Sequence, residues 1–287
     1  MNTPVAPPSS QAPCVLLRGL ARGSGHWGQG QGGFADQLAH SLAPGALLLP
    51  DLPGNGMLWN DTSPTRVGAM TDALRQQLAP TLAQGPPVRL VAMSLGAMVA
   101  LDWAHRFPAE VQSAALINTS LRGLSPPWMR LRPTAARAVL GAWLQAVVGL
   151  GDVEQREATV LRLTSQLAAR NPALAARTMA HWVSLQTQYP VQPANLMRQL
   201  WAAARFKAPQ TAPAMPVLVL NGAGDALVHP ACSAAVAQAW GTPMCQHPTA
   251  GHDLPLDDPE WVAAQLSRWW RGLVPAPAQP DTPAATA

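Results

Sequence analysis

The segment PPVRLVAMSLGAMVALDWAHRFP, residues 86–108, restricts the possible folds more than any other part of the chain. Val88 to Ala92 is a short run of branched and apolar residues, the pattern of a buried strand. Ala97, Ala100, Leu101, Ala104 and Phe107 fall on one stripe at helical spacing, so residues 97–107 read as a helix. Only Met93-Ser94-Leu95-Gly96 separates the two. A turn that sharp strains the backbone of its serine and needs small neighbours, which Ala92 and Gly96 supply. It also presents the serine Oγ above a sheet, with a helix N-terminus directed at whatever Oγ attacks. The pattern is Ala-x-Ser-x-Gly, one methyl away from the usual Gly-x-Ser-x-Gly.

Further apolar runs surround this unit. CVLLRGL (14–20), ALLLPDL (46–52), VRLVAM (88–93), AALINTS (114–120), VLVLNGAGD (217–225) and the weaker TPMCQH (242–247) read as strands. Their hydrophobicity is continuous rather than alternating, as in parallel strands covered on both faces. Helical patterns around 33–42, 65–83, 97–107 and 231–239 lie between them, giving an α/β fold with a doubly wound, mostly parallel sheet. Residues 121–210 break the rhythm. They hold no good strand but several helical stretches, among them TAARAVLGAWLQAVV, EQREATVLRLTSQLAAR and NPALAARTMAHWVSLQTQ. Some 90 structureless residues would be implausible in a compact domain. An inserted all-helical cap, leaving from a strand end, is expected to roof the carboxyl edge of the sheet where ligands bind. The expected organisation is therefore a core of 14–120 and 211–273, a helical cap of 121–210, and Pro/Ala-rich disordered tails at 1–13 and 274–287.

Composition removes several function classes. Hydrophobic residues make up 48% and charged residues 12%, so a large core is possible and global disorder is not expected. No apolar run approaches the roughly 18 residues of a membrane span. The N-terminus lacks the basic and apolar regions of a secretion signal, leaving a cytoplasmic location as the expectation. Cys14, Cys232 and Cys245 are too dispersed for a disulfide framework or a metal site, and GQGQGG (28–33) lacks the Lys-Ser/Thr ending of a phosphate loop. Neither a metal nor a cofactor is expected. The formal net charge is +4, but ten arginines and Lys207 against Asp152, Glu154 and Glu157 give 121–210 a net +8, leaving −4 elsewhere. With a single Lys and no recognition motif, this is not a nucleic-acid binder. A basic roof would instead favour an acidic substrate or partner.

A serine nucleophile needs an acid and a histidine, in the chain order Ser, Asp, His. Asp225 stands immediately past the strand VLVLNG, and His252 lies in TAGHDLPLDDP after the last strand candidate. Both would arrive at the edge that carries Ser94. With these residues in place, residues 14–272 resemble the α/β-hydrolase superfamily. LPDLPGNG (49–56) resembles its Asp-x-Pro-Gly-x-Gly loop, LLRGLARGSGHW (16–27) its oxyanion loop, and GAGDALVHP and AGHDLP its acid and histidine loops.

The resemblance implies Ser94 as nucleophile, His252 as general base and then acid, and Asp225 as the residue orienting the imidazole. It also implies an oxyanion hole from the backbone N–H groups of Leu20 and Leu95. The implied function is a serine hydrolase cleaving carboxylic esters of a small-molecule substrate through an acyl-enzyme. Thioesterase, lactonase or acyl-carrier-protein ester hydrolase chemistry is the alternative on the same triad, and a non-catalytic ligand-binding homologue is the alternative of another class. The helical insertion resembles that of the biotin-pathway carrier-protein methyl esterases, which makes an acyl carrier protein a candidate partner. Two departures stand out: Arg18 occupies the usual His position of the oxyanion loop, and the chain starts at what would be the family's third strand, so a shortened sheet edge is expected. Arg18, Trp27 and Met93 are candidate pocket walls. Asp253, Asp257 and Asp258 read as helix N-terminal acids before PEWVAAQLSRWW. His26 reads as a loop-holding residue, His229 and His247 as structural, and the cap's Trp and Met residues as mostly core.

Overall fold

The strands owe their parallel pairing to side chains that are apolar on both faces. The computed structural model describes residues 12–40, 47–148 and 152–273; residues 1–11 of the tail expected at 1–13, and the whole of that expected at 274–287, lie outside them. Six parallel strands form one sheet: β1 (Cys14–Leu17), β2 (Leu47–Leu48), β3 (Val88–Met93), β4 (Val111–Ile117), β5 (Val217–Gly222) and β6 (Met244–His247), in the order β2-β1-β3-β4-β5-β6. Successive side chains go to opposite faces, and two cores result. Val15, Leu17, Leu90, Ala92, Leu116 and Val219 join one; Cys14, Leu16, Val91, Met93, Ile117 and Leu220 join the other. Among the described residues no strand precedes β1, and the two-residue β2 forms the edge. Ala12 is buried and the Pro13 carbonyl accepts from Arg89 N–H, so these two residues, expected in the tail, pack against the sheet instead.

Helices cover both faces. On the first lie α2 (Val67–Gln77), α4 (Leu95–Arg106) and α11 (Ala231–Trp240); on the second lie α1 (Phe34–His40) and α13 (Pro259–Leu273). The pattern at 65–83 reads as one helix but forms two, α2 and α3 (Ala79–Gln84). Pro80, in the first turn of α3, cannot donate to a continuing helix. The strand read at 114–120 is displaced to Val111–Ile117, because Asn118 turns the chain with φ 46°.

Between β4 and β5 the regular elements among the described residues are all helices: α5 (Pro127–Arg130), α6 (Pro133–Val147), α7 (Val153–Thr164), α8 (Leu167–Arg170), α9 (Pro172–Gln188) and α10 (Pro193–Arg205). Isolated bridges from Arg122 to Ser125 and Lys207 close the stem of this cap. Leu161, Leu167, Ala175 and Trp182 give it a small core of its own. The stretch read as one helix over 154–170 breaks between α7 and α8, where Asp257 of the short helix α12 (Leu254–Asp257) takes hydrogen bonds from Ser165 Oγ and Gln166 N–H. Chain direction across the sheet reverses at β1, which lies between β2 and β3. A crevice outside the carboxyl ends of the strands is expected at that point.

Candidate active site

Ser94 sits at that crevice, at the end of β3 and directly before α4, with φ 53° and ψ −118°. A positive φ is rare for a non-glycine residue and marks a strained turn. The strain is held in place by hydrogen bonds from Ser94 N–H to the Ile117 carbonyl (2.9 Å) and from Thr119 Oγ1 to the Ser94 carbonyl (3.1 Å). Small residues make the turn possible. A Cβ on Gly96 would stand 2.5 Å from the carbonyl oxygens of both Leu17 and Arg18. The loop after β1 therefore runs directly against the elbow. A Cβ on Gly19 would lie 3.0 Å from Ser94 Cβ and 3.5 Å from its Oγ.

Asp225 and His252 meet from separate loops. Asp225 follows β5; its Oδ1 accepts from Leu227 N–H and Val228 N–H, both at 2.8 Å. Its Oδ2 lies 2.7 Å from His252 Nδ1, and both residues are almost fully buried, at 2% and 3% exposure. A carboxylate only accepts, so Nδ1 carries the proton and Nε2 is left as a base. Asn118 fixes the histidine loop to the sheet: its Nδ2 donates to the carbonyls of Gly251 (3.1 Å) and His252 (2.7 Å), and its Oδ1 accepts from Gly222 N–H (3.0 Å). Asp257 takes Gly251 N–H at 2.6 Å from the other side, and burial raises its carboxyl above the ordinary range.

Ser94 and His252 share the wall of a cavity of about 400 Å³ lined mainly by apolar residues, including Leu20, Met93, Ala138, Trp143, Val160 and Leu196. On its other side Ser94 faces a second cavity of about 870 Å³, between Met98, Leu131, Ala136 and Trp128. Leu20, Ser94 and Leu227 belong to both. Leu95 N–H lies in the first turn of α4, where backbone donors have no partner within the helix.

Several readings from the sequence change. Trp27 does not line either cavity; it is buried, packs on Phe34 and lies 4.7 Å beneath the Arg18 guanidinium. Asp253 occupies the N-cap position of α12 but makes no cap bond. It forms a two-pronged ion pair with Arg18, Nη1 to Oδ1 at 3.1 Å and Nη2 to Oδ2 at 2.6 Å. Arg18 does border the first cavity, as expected, and its side chain is buried. Asp257 is likewise a clamp between cap and histidine loop, whereas Asp258 caps α13 by accepting from Trp261 N–H. The cap's Trp and Met residues, expected to be mostly core, are mostly not: Trp182 is core and Trp143 borders the first cavity, while Trp128, Met197 and Trp201 are exposed.

The loop after β1 is tied to the cap by groups with no sequence signature. Gln199 of α10, fully buried, accepts from Ala21 N–H (2.9 Å) and donates to Asn55 Oδ1 (2.8 Å) and Ser63 Oγ (2.9 Å). Arg22 pairs with Glu157 of α7 at 2.6 Å and stacks 4.4 Å over Trp182. Arg22 Nη1 also donates to His26 Nε2, so His26 Nδ1–H donates to the Gly23 carbonyl. Burial, then Arg22 and Arg18, hold the His26 imidazole well below its ordinary pKa. Among the described residues no group of three or more His, Cys, Asp or Glu is arranged to hold a metal ion, and no helix is long and apolar enough to cross a membrane.

A model of the alpha/beta hydrolase family matches residues 14–265, from β1 into α13. The chain belongs to the alpha/beta hydrolase family. A Klebsiella pneumoniae protein provisionally named carbamate hydrolase RutD is 28% identical over 268 residues, covering 90% of this chain and 91% of that one. A pimeloyl-[acyl-carrier protein] methyl ester esterase of Chromobacterium violaceum is 33% identical over 154 residues, 53% of this chain and 56% of that one. A thermophilic esterase from Thermogutta terrifontis has the same fold, with a TM-score of 0.67 at 19% identity over 93% of this chain and 92% of its own. The family's members and this chain share a hydrolase architecture.

Proposed function

We propose that this hydrolase is a serine esterase acting through Ser94, His252 and Asp225. The observation that carries the reading is the buried 2.7 Å bond from His252 Nδ1 to Asp225, which leaves Nε2 free as a base on the cavity that Ser94 also borders. Ser94 Oγ attacks the ester carbonyl while His252 Nε2 takes its proton. The N–H groups of Leu20 and Leu95 stabilise the oxyanion, a contribution typically worth about 3 kcal/mol per donor. The tetrahedral adduct expels the alkoxide, which leaves with the proton from His252. Water, deprotonated by the same imidazole, then releases the acid and restores Ser94.

The substrate is a small ester whose groups occupy the two cavities meeting at Ser94. Carrier-bound acyl esters are a second reading, supported by the likeness to the methyl ester esterase over half the chain and by the net +8 of residues 121–210. Hydrolysis of p-nitrophenyl esters from acetate to decanoate, by the wild type and by Ser94→Ala, tests the first reading. The expected result is turnover that vanishes in the variant, with a chain-length optimum set by the cavities. Equal turnover in both would refute Ser94 as the nucleophile.

A further inference from the structure

Arg18 and Asp253 form an ion pair in an unusual place. Their side chains are 4% and 3% exposed. Burying two charges costs free energy that their attraction rarely recovers in full, and apolar replacements of like volume often serve stability as well. A pair retained beside a mostly apolar cavity therefore needs another account, and its position supplies one. Arg18 is followed directly by Gly19 and Leu20, the loop pressed against Ser94. Asp253 directly follows His252. The two-pronged geometry fixes orientation as well as distance. Among the described residues Asp253 is the sole hydrogen-bonding partner of the Arg18 guanidinium, which otherwise lies over the Trp27 ring. Asp253 is held in turn by its backbone N–H, which donates to the Thr164 carbonyl of the cap at 2.6 Å.

Resting on the esterase reading above, we propose that Arg18 and Asp253 are a positioning pair: they lock the loop carrying the Leu20 N–H to the loop carrying His252, and keep the charge beside the imidazole balanced. Other charged groups lie around the histidine loop on every side. Asp225 comes from the loop after β5, Asp257 from α12, and Arg132 from the cap, donating to the Asp225 carbonyl at 3.1 Å. Arg22, Glu157 and Arg156 also border the cavity, and Arg170 of α8 and the His247–Asp258 pair meet the segment around the histidine loop. None of these is altered by the substitutions that test the pair, so any change in pH profile reports on Arg18 and Asp253.

The test compares Asp253→Asn, Arg18→Met, the double variant and Arg18→Lys, with folding checked by circular dichroism and thermal melts. Asp253→Asn leaves an uncompensated cation near His252, which opposes its protonation; the acid limb of kcat/KM moves to lower pH by about one unit. Arg18→Met leaves an anion and moves the limb the opposite way. The double variant returns the limb to the wild-type position, but kcat stays down about tenfold or more because the loops are no longer locked together. KM changes by less than about threefold, since the lost interaction serves the transition state. Arg18→Lys keeps the charge and loses the fork, so it lowers kcat without moving the limb, and it covers the case in which a charge-removing variant does not fold. Limbs that coincide with the wild type in Asp253→Asn and Arg18→Met overturn the proposal, whether or not kcat falls. Covalent labelling of wild-type Ser94 by a fluorophosphonate separates the two failures: absence of label refutes the esterase reading, while a labelled wild type with unmoved limbs refutes only the pair.

Discussion

Gly96→Ala is a one-methyl change whose outcome depends on two opposing effects. Gly96 is the second residue of α4, and alanine in a helix is favoured over glycine by about 1 kcal/mol. Propensity alone predicts a more stable protein. The added Cβ, however, would stand 2.5 Å from two backbone oxygens, those of Leu17 and Arg18, and ordinary contact begins at about 3.4 Å. Neither oxygen ends a flexible side chain, so β1 and the loop beyond it must move by about 0.9 Å. Overpacking of this kind costs roughly 1–3 kcal/mol, enough to cancel the propensity gain and leave the variant equal to or less stable than wild type. The effect on turnover is larger. Donors must lie within about 2.7–3.1 Å of the oxyanion, and a displacement of about 1 Å can cost about 100-fold. Steady-state hydrolysis of a p-nitrophenyl ester, beside a thermal melt, should show kcat/KM down by about two orders of magnitude with a melting temperature within a few degrees of wild type. Gly141→Ala, in α6 with nothing within 4 Å of the new Cβ, is the control and should be active and slightly more stable. A Gly96→Ala enzyme with activity within about twofold of wild type would refute the argument that the loop after β1 supplies a donor at the elbow.

Three other outcomes follow from the same contacts. Asp225→Asn removes the acceptor that fixes the His252 tautomer and should lower kcat by about 10³–10⁴-fold with the fold retained; near-normal kcat would remove Asp225 from the mechanism. Gln199→Leu leaves Ala21 N–H, Asn55 and Ser63 without their partner in a fully buried site, which should cost about 3 kcal/mol, or roughly 6–12 °C in the melt; an unchanged melt would show that the network is dispensable. His26 is held neutral in the folded chain, whereas the unfolded chain protonates it below about pH 6.5. Its stabilisation is therefore complete above pH 6.5 and lost as pH falls below it. The difference in melting temperature between wild type and His26→Gln should shrink between pH 7.5 and 5.0, and a constant difference would contradict the assignment.

The parts of this protein that could be read from its sequence are those with a strong local period or a strong local constraint. The segment 88–93 is a strand of unbroken hydrophobicity, and the structure gives β3 the same bounds. The sharp step to α4 allowed few geometries, and Ser94 has the strained φ that such a turn demands. The cap could be seen as helical because residues 121–210 lack strand patterns, although its last helix, α10, was not read from the pattern. Its sequence is amphipathic, but its buried face carries Asn195, Gln199 and Ala202, and the hydrogen bonds that Asn195 and Gln199 make there leave no mark in the local pattern. Trp27 looked like a pocket wall because it sits near the oxyanion loop in sequence, but a 3-10 turn folds it under Arg18. The acids 253, 257 and 258 looked alike in sequence, and only tertiary partners separate the ion pair, the clamp and the cap. Long-range polar pairing, such as Arg18 with Asp253 across 235 positions, leaves no local pattern.

The central claim is that Ser94 is the nucleophile, activated by His252. Its most direct test is intact-mass and peptide mass spectrometry after reaction with a fluorophosphonate, which phosphonylates activated serines irreversibly. The account predicts one adduct per chain on the peptide containing Ser94, absent in Ser94→Ala and strongly slowed in His252→Ala. An adduct on another residue, or none on a folded wild-type protein, would contradict it.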